Sequence, residues 1–314
     1  MRKVLYLSHA TPEVYSIIGG AVPPGFQLLL LERDSDEERC AKIAACEVVI
    51  VAATPLTRRL IDCATKLELV HHQGVGWQDT TDHAALRHRR IPLAFTPEGT
   101  TTGVAEHTVL LILAVLKRLP YADAELRQGR FHINALRPVS RELCGMTVGY
   151  VGMGRIARAV AERLAPFGTR GIFFDPAVPS REGLERKSFA EVLEQSDILT
   201  LHVPLTPETR RLIDRESLAR MKRGAYLVNT ARGGLVDEQA LFEMLQANHL
   251  AGAALDVFEE EPVRAGHPLA RLPNVVLTPH IAVGTRDALA TKMRAIFANV
   301  ERFYRGEPLM NRAF

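Results

Sequence analysis

The sequence predicts an α/β protein made of two doubly wound parallel-sheet domains. Short apolar runs alternate with stretches of helical length, a βαβα rhythm that implies a parallel sheet covered by helices on both faces. The rhythm halts at a breaker cluster, Thr96-Pro97-Glu98-Gly99, and restarts after Leu143-Cys144-Gly145. A chain of 314 residues accommodates about two domains of ~150 residues each.

In the first half, KVLYLSH (3–9), FQLLLL (26–31), EVVIVAA (47–53), LELVHH (67–72) and IPLAF (91–95) read as strands. Asp36–Cys46 and Thr80–Arg89 have the length and polarity of connecting helices. TTGVAEHTVLLILAVLKRL, residues 101–119, reads as one long apolar helix. In the second half, six strand-like runs follow: MTVGYVG, GIFFD, DILTLHVP, AYLVNTA, LAGAALDV and NVVLTPH. Six strands with helical spacers make one complete dinucleotide-binding sheet. Thr285–Arg305 closes the chain as a helix, and no fixed-period repeat is present.

Composition narrows the class further. The chain is 47% apolar and 24% charged with a formal net charge of +3, which excludes disordered and collagen-like chains. No basic arm marks a nucleic-acid partner, and the densest cluster, Arg87–Arg90, reads as a solvated helix end. The longest apolar run, Thr108–Leu116, is far short of the ~20 residues that span a bilayer, so no membrane partner is expected. The apolar stretch near the N-terminus is too short for a leader and reads as the first strand. Cysteines stand at 40, 46, 63 and 144 without a CxxC pair. Their expected state is buried, reduced thiol in a cytoplasmic protein.

The sharpest local signal is TVGYVGMGRIARAVAERL, a strand running into G-x-G-x-x-A and then a helix. Gly152 permits the tight turn, Gly154 lets backbone approach a pyrophosphate, and Ala157 lets the helix lie on the strand. The N-terminus of the helix offers free N–H groups and a positive dipole end to phosphates. The next strand ends in Asp175, at the ~20-residue spacing expected of a carboxylate that holds the adenosine ribose. Such a carboxylate repels a 2′-phosphate, and Pro176-Ala177-Val178 follow with no Arg, so the expected cofactor is NAD rather than NADP.

Three further strand ends carry polar residues: Arg232 after AYLVNTA, Asp256 and then Glu261 in LDVFEEEP, and His280 in NVVLTPH. Ligands of open α/β sheets bind beyond the carboxyl ends of strands. An Arg fork grips a carboxylate, a His exchanges a proton with a carbonyl oxygen, and a Glu beside that His raises its pKa. Together they describe reversible reduction of a 2-oxo acid.

VGYVGMGRIA, LHVPLTPETR, LVNTARGGLVDEQAL, GAALDVFEEEP, LTPHIA and GVAEHTV together resemble the D-isomer-specific 2-hydroxyacid dehydrogenase family. That family includes phosphoglycerate dehydrogenases and glyoxylate/hydroxypyruvate reductases. The resemblance implies that Arg232 binds substrate, His280 is the acid/base and Glu261 its partner. It implies that Thr230, Ala231 and Asp256 lie near the nicotinamide. Arg155, Ile156 and Asp175 would hold the pyrophosphate and ribose, and Val203-Pro204 would flank the adenine. Gly74-Val75-Gly76 resembles the family loop whose N–H groups bind the substrate carboxylate. The implied architecture is two Rossmann-like domains with the active site in the cleft between them. A discontinuous substrate domain, 1–98 plus 285–314, would flank an NAD-binding domain at 99–284. The implied assembly is a homodimer with helix 101–118 in its interface.

Other candidates have plainer readings. His71 and His72 are adjacent in a strand and face opposite ways, so they do not share a metal, and no HExxH-type spacing occurs. Glu106 and His107 are equally open to structural and functional roles, and His202 to a minor cofactor contact. His9, His83, His88, His132, His249 and His267 show no partner pattern, and Glu259 and Glu260 read as solvated loop. Three features depart from the family. Val51-Ala52-Ala53-Thr54 lacks the Arg-Ser pair that grips a substrate phosphate, the loop carrying Trp77 is one residue longer, and Val283-Gly284 is an unusual continuation. The expected reaction is reduction of a small unphosphorylated 2-oxo acid. Phosphoglycerate oxidation and an NAD-sensing transcriptional co-regulator are the alternatives.

Overall fold

The computed structural model describes all 314 residues, which divide into two compact units. Met1–Thr100 with Gly284–Phe314 form the first, and Thr101–Val283 the second.

The first unit holds β1 (Arg2–Tyr6), α1 (Pro12–Gly19), β2 (Phe26–Leu29), α2 (Asp36–Ile43), β3 (Val48–Val51), α3 (Arg58–Cys63), β4 (Leu69–His72), α4 (His83–His88) and β5 (Leu93–Phe95). The strands form one parallel sheet in the order β2-β1-β3-β4-β5. Strand periodicity sorts its core into two clusters. Leu5, Val49, Val51 and Val70 meet Ile43, Leu60 and Leu86 on one face. Val4, Tyr6, Val48 and Ile50 meet Ile18, Met293, Ile296 and Phe297 on the other. Burial on both faces is why the central β3 reads as an unbroken apolar run rather than an alternating one.

The second unit opens with α5 (Thr101–Lys117) and α6 (Leu119–Arg127). The expected single helix over 101–119 is therefore cut short: Arg118 turns left-handed at φ +53° and Leu119 starts the next helix, with Pro120 in its first turn. Then come β6 (Thr147–Val151), α7 (Arg155–Leu164), β7 (Arg170–Phe174), β8 (Leu184–Arg186), α8 (Phe189–Gln195), β9 (Ile198–Leu201), α9 (Arg215–Arg220), β10 (Tyr226–Asn229), α10 (Glu238–Gln246), β11 (Gly252–Leu255) and β12 (Val275–Leu277). The long α11 (Arg286–Tyr304) returns to the first unit and supplies Met293, Ile296 and Phe297 to its core.

The second sheet is parallel and has seven strands, in the order β12-β11-β10-β9-β6-β7-β8. One more strand is present than the sequence reading expects. The addition, β8, is a three-residue edge strand whose Glu185 and Arg186 are exposed, so it carries no apolar signal. The order reverses between β6 and β9, the switch point at which ligands of such sheets bind. No helix is long and apolar enough to cross a membrane.

The cysteine expectation is corrected. Cys40 and Cys63 form a disulfide, Cys46 is a buried free thiol and Cys144 is exposed. Packing of α2 against α3 brings the Cα atoms of Cys40 and Cys63 to 5.4 Å, within normal disulfide reach. A separation of 23 residues gives no such hint in the sequence.

Candidate active site

The glycine turn follows β6 directly. Gly152 has φ +90°, and a Cβ there would lie 2.7 Å from the His202 carbonyl oxygen. The turn therefore presses on the strand end that leads to Val203 and Pro204. Gly154 is the N-cap of α7 and supplies no side-chain cap, so the N–H groups of the first turn, including Arg155 and Ile156, lack an intrahelical acceptor. Open space surrounds the position of a Gly154 Cβ. An uncapped helix end beside an open turn fits the pyrophosphate of a dinucleotide.

Asp175 anchors this turn as well as ending β7. Its Oδ2 accepts from Met153 N–H at 2.7 Å, and its Oδ1 from Ala177 and Val178 N–H at 2.8 and 3.1 Å. The carboxylate is thus oriented by backbone before any ribose arrives. Arg186, on the unexpected β8, donates to the Asp175 carbonyl at 3.2 Å. The absence of a basic residue directly after Asp175 in the sequence did not show this neighbour. His202 bonds Thr200 Oγ1 at 3.0 Å and stacks on Tyr150, a fixed position beside the turn.

The polar strand ends of the second unit form one hydrogen-bonded system. His280 Nδ1 lies 2.7 Å from Glu261 Oε2, and Glu261 Oε1 accepts from Phe258 N–H at 2.9 Å. The hydrogen bond that the His280 ring donates to Glu261 holds the His280 pKa above the usual imidazole value, against burial and the nearby Arg232 charge. Burial pushes Glu261 upward, but its hydrogen bonds from His280 and Phe258 outweigh that and keep it below the usual carboxylate range. With Nδ1 committed to a carboxylate, Nε2 is the nitrogen left for proton exchange. The other two glutamates of the run have local partners: Glu259 meets Arg211 and Glu260 meets Arg264.

Arg232 sits where β10 ends. Asn229 shapes that turn from both sides, accepting from Ala231 N–H at 3.0 Å and donating to the Arg232 carbonyl at 2.9 Å. Gly233 is required by contact: a Cβ there would fall 1.8 Å from the Phe258 carbonyl carbon. The Arg232 turn is thereby packed on the loop that carries Glu261. Thr230 is buried and its hydroxyl meets that of Thr108, on α5, at 2.9 Å.

Asp256, expected beside the nicotinamide, is wholly buried. It accepts from Thr278 Oγ1 at 2.6 Å and from Ile281 and Ala282 N–H at 2.9 Å each. His107 Nε2 lies 3.0 Å from the Thr278 hydroxyl and 3.4 Å from the Asp256 carboxylate. These bonds, with His280 N–H to the Asp256 carbonyl at 2.8 Å, clamp the loop that presents His280. His107 thus joins α5 to that loop. His267 likewise has a partner that the sequence did not show, Glu238 at 3.1 Å.

Gly74-Val75-Gly76 lies in the first unit, just beyond β4. Thr96 N–H donates to the Gly74 carbonyl at 3.2 Å, and Thr80 Oγ1 to the Gly76 carbonyl at 3.2 Å. No backbone carbonyl accepts from the N–H of Gly74, Val75 or Gly76. Trp77 turns edge-on to His83 and Phe314 and packs against the apolar cluster of this unit.

Residues 109–282 match the family model described as D-isomer specific 2-hydroxyacid dehydrogenase, NAD binding domain. The chain belongs to this family. The matched residues lie within the second unit, which carries the uncapped α7 and the oriented Asp175. Among relatives, a D-3-phosphoglycerate dehydrogenase of Methanocaldococcus jannaschii is 39% identical over 86% of this chain and 52% of its own length. A glyoxylate reductase of Thermofilum pendens is 38% identical over 91% of this chain and 83% of its own. The crystal structure of TT0316 protein from Thermus thermophilus superposes with a TM-score of 0.89 at 34% identity, covering all of both chains. The chain spans about half the length of the phosphoglycerate dehydrogenases it matches.

Proposed function

We propose that the chain catalyses NADH-dependent reduction of a small, unphosphorylated 2-oxo acid such as glyoxylate, hydroxypyruvate or pyruvate to the D-2-hydroxy acid, and the reverse. The observation that carries this reading is the 2.7 Å His280–Glu261 pair, close enough to Arg232 to feel its charge. When bound, NADH supplies the hydride. His280 Nε2 gives its proton to the substrate oxygen as the carbonyl carbon is reduced, and recovers it in oxidation. Glu261 stabilises the imidazolium in between. Arg232 holds the substrate carboxylate in its guanidinium fork. The N–H groups of Gly74, Val75 and Gly76 are the second set of carboxylate donors. In the cofactor site, α7 and Gly152–Gly154 take the pyrophosphate, Asp175 takes the ribose hydroxyls, and Val203-Pro204 border the adenine. Thr230 and Ala231 border the nicotinamide.

The uncharged Val51–Thr54 stretch supports an unphosphorylated substrate, because a phosphate dianion is hard to desolvate without a cation. The nearest alternative in the sequence, Arg58, is exposed and paired with Asp62 at 3.0 Å. Steady-state NADH oxidation with glyoxylate, hydroxypyruvate, pyruvate and phosphohydroxypyruvate tests this, with NADPH run in parallel. We expect an unphosphorylated acid with NADH to give the highest kcat/KM. Turnover of the phosphorylated acid alone would make this a phosphoglycerate dehydrogenase. NADH binding without any turnover would favour the regulator.

A second copy of the chain is the partner we assign to α5, α6 and the segment after them. Leu110, Leu119, Leu126, Phe131 and Ile133 are all at least half exposed there, with Phe131 and Ile133 at 75%. An apolar patch of this kind marks an interface. Sedimentation equilibrium is expected to give twice the 34.7 kDa chain mass. A monomer at micromolar concentration would refute this assignment.

A further inference from the structure

Lys292, on α11, is 2% exposed. Lysine is rarely buried to this degree without a carboxylate partner. Here no carboxylate acts on the ammonium; its Nζ donates to the Gln73 carbonyl at 3.1 Å. Burial brings its pKa down to about 8, which leaves the ammonium form dominant at neutral pH.

The Gln73 carbonyl belongs to the peptide whose N–H is that of Gly74. A trans peptide is planar, with C=O and N–H pointing opposite ways. Pinning the oxygen on Lys292 therefore fixes the direction of the Gly74 N–H. Gln73 N–H is bonded to the Val51 carbonyl at 2.7 Å, and the Gly74 carbonyl accepts from Thr96, so this peptide is held from both sides. An ammonium on the oxygen also polarises the peptide and makes its N–H a stronger donor.

We propose that Lys292 is a positioning residue for the substrate carboxylate: it aims and polarises the Gln73–Gly74 peptide and places a positive charge behind the Gly74–Gly76 loop. The enzyme thereby favours carbonyl compounds that carry a carboxylate over neutral ones. This inference rests on the reading that the Gly74–Gly76 loop receives that carboxylate.

The test is steady-state kinetics of K292M with glyoxylate and with the neutral analogue glycolaldehyde, alongside NADH affinity and Tm. We expect KM for glyoxylate to rise about tenfold or more, the loss typical of a weakened charge-assisted contact. The expected kcat, NADH affinity and glycolaldehyde kinetics stay near wild type. Tm is expected to change little, because removing a lone buried charge offsets the lost hydrogen bond to the Gln73 carbonyl. K292Q, which keeps a donor but no charge, is expected to fall between the two and serves if K292M does not fold. An unchanged glyoxylate KM, or equal losses for glyoxylate and glycolaldehyde with a lowered Tm, would overturn the inference and leave Lys292 a structural pin. V75P separates this from failure of the underlying reading. If V75P, which deletes one loop N–H, raises the glyoxylate KM while K292M does not, the inference alone fails. If a folded V75P leaves KM unchanged, the loop is not the carboxylate site and both readings fall.

Discussion

Replacing His280 with asparagine is expected to lower turnover of a 2-oxo acid by about 10²–10⁴-fold, the range for losing a positioned general acid. NADH affinity is expected to stay near wild type. Asparagine is the better replacement because His280 adopts φ +53°, a left-handed conformation that asparagine tolerates and alanine does not. The loop itself does not depend on the imidazole. His280 N–H donates to the carbonyls of Asp256 and Thr278 at 2.8 and 3.0 Å, and the Asp256 carboxylate clamps the next two residues. Removing the ring therefore removes the proton donor and leaves its scaffold. Fluorescence titration with NADH beside single-turnover kinetics checks both halves. Undiminished turnover would take His280 out of the mechanism.

Arg232→Ala is expected to raise KM for the 2-oxo acid and lower kcat together, with kcat/KM down by about 10²–10⁴-fold. Two charge-assisted hydrogen bonds of about 1.5–3 kcal/mol each account for that range. Lysine is expected to restore little, since a point charge cannot reproduce the fork. The same variant carries a second signature. The Arg232 charge works against protonation of His280, so its removal is expected to move the His280 pKa further up. A drop in kcat/KM without that shift would mean that the guanidinium acts on substrate but stands too far from the imidazole to matter electrostatically. Wild-type kinetics would remove Arg232 from the site.

Much of this was legible in the residues because the forces involved are local. Strands buried on both faces are mostly apolar, so β1, β3, β6, β9 and β10 announce themselves. The glycine turn and Asp175 are read from spacing, and Arg232, Glu261 and His280 from their places at strand ends. What escaped depends on neighbours distant in sequence. His107 meets Thr278 across 171 residues, and Lys292 meets Gln73 across 219. Cys40 and Cys63 are joined only because two helices pack together. β8 is too short and too polar to show a period, and Arg118 breaks a helix without glycine or proline at the break itself. Asn229 is a residue type that favours turns, but its double bond to the Arg232 turn is visible only in three dimensions.

The most direct test of the central claim is the pH dependence of kcat/KM for 2-oxo acid reduction in the wild type and in Glu261→Gln. Reduction needs protonated His280, so activity is full below the His280 pKa and falls as pH rises through it. Because the bond to Glu261 raises that pKa, the wild-type limb should lie above the unperturbed 6.5. Glutamine removes the charge that raises it, so the limb should move to lower pH; in the oxidation direction the limb should rise with pH and move the same way. A profile without such a limb, or one that Glu261→Gln leaves in place, would contradict the assignment of His280 and Glu261 as the proton-transferring pair.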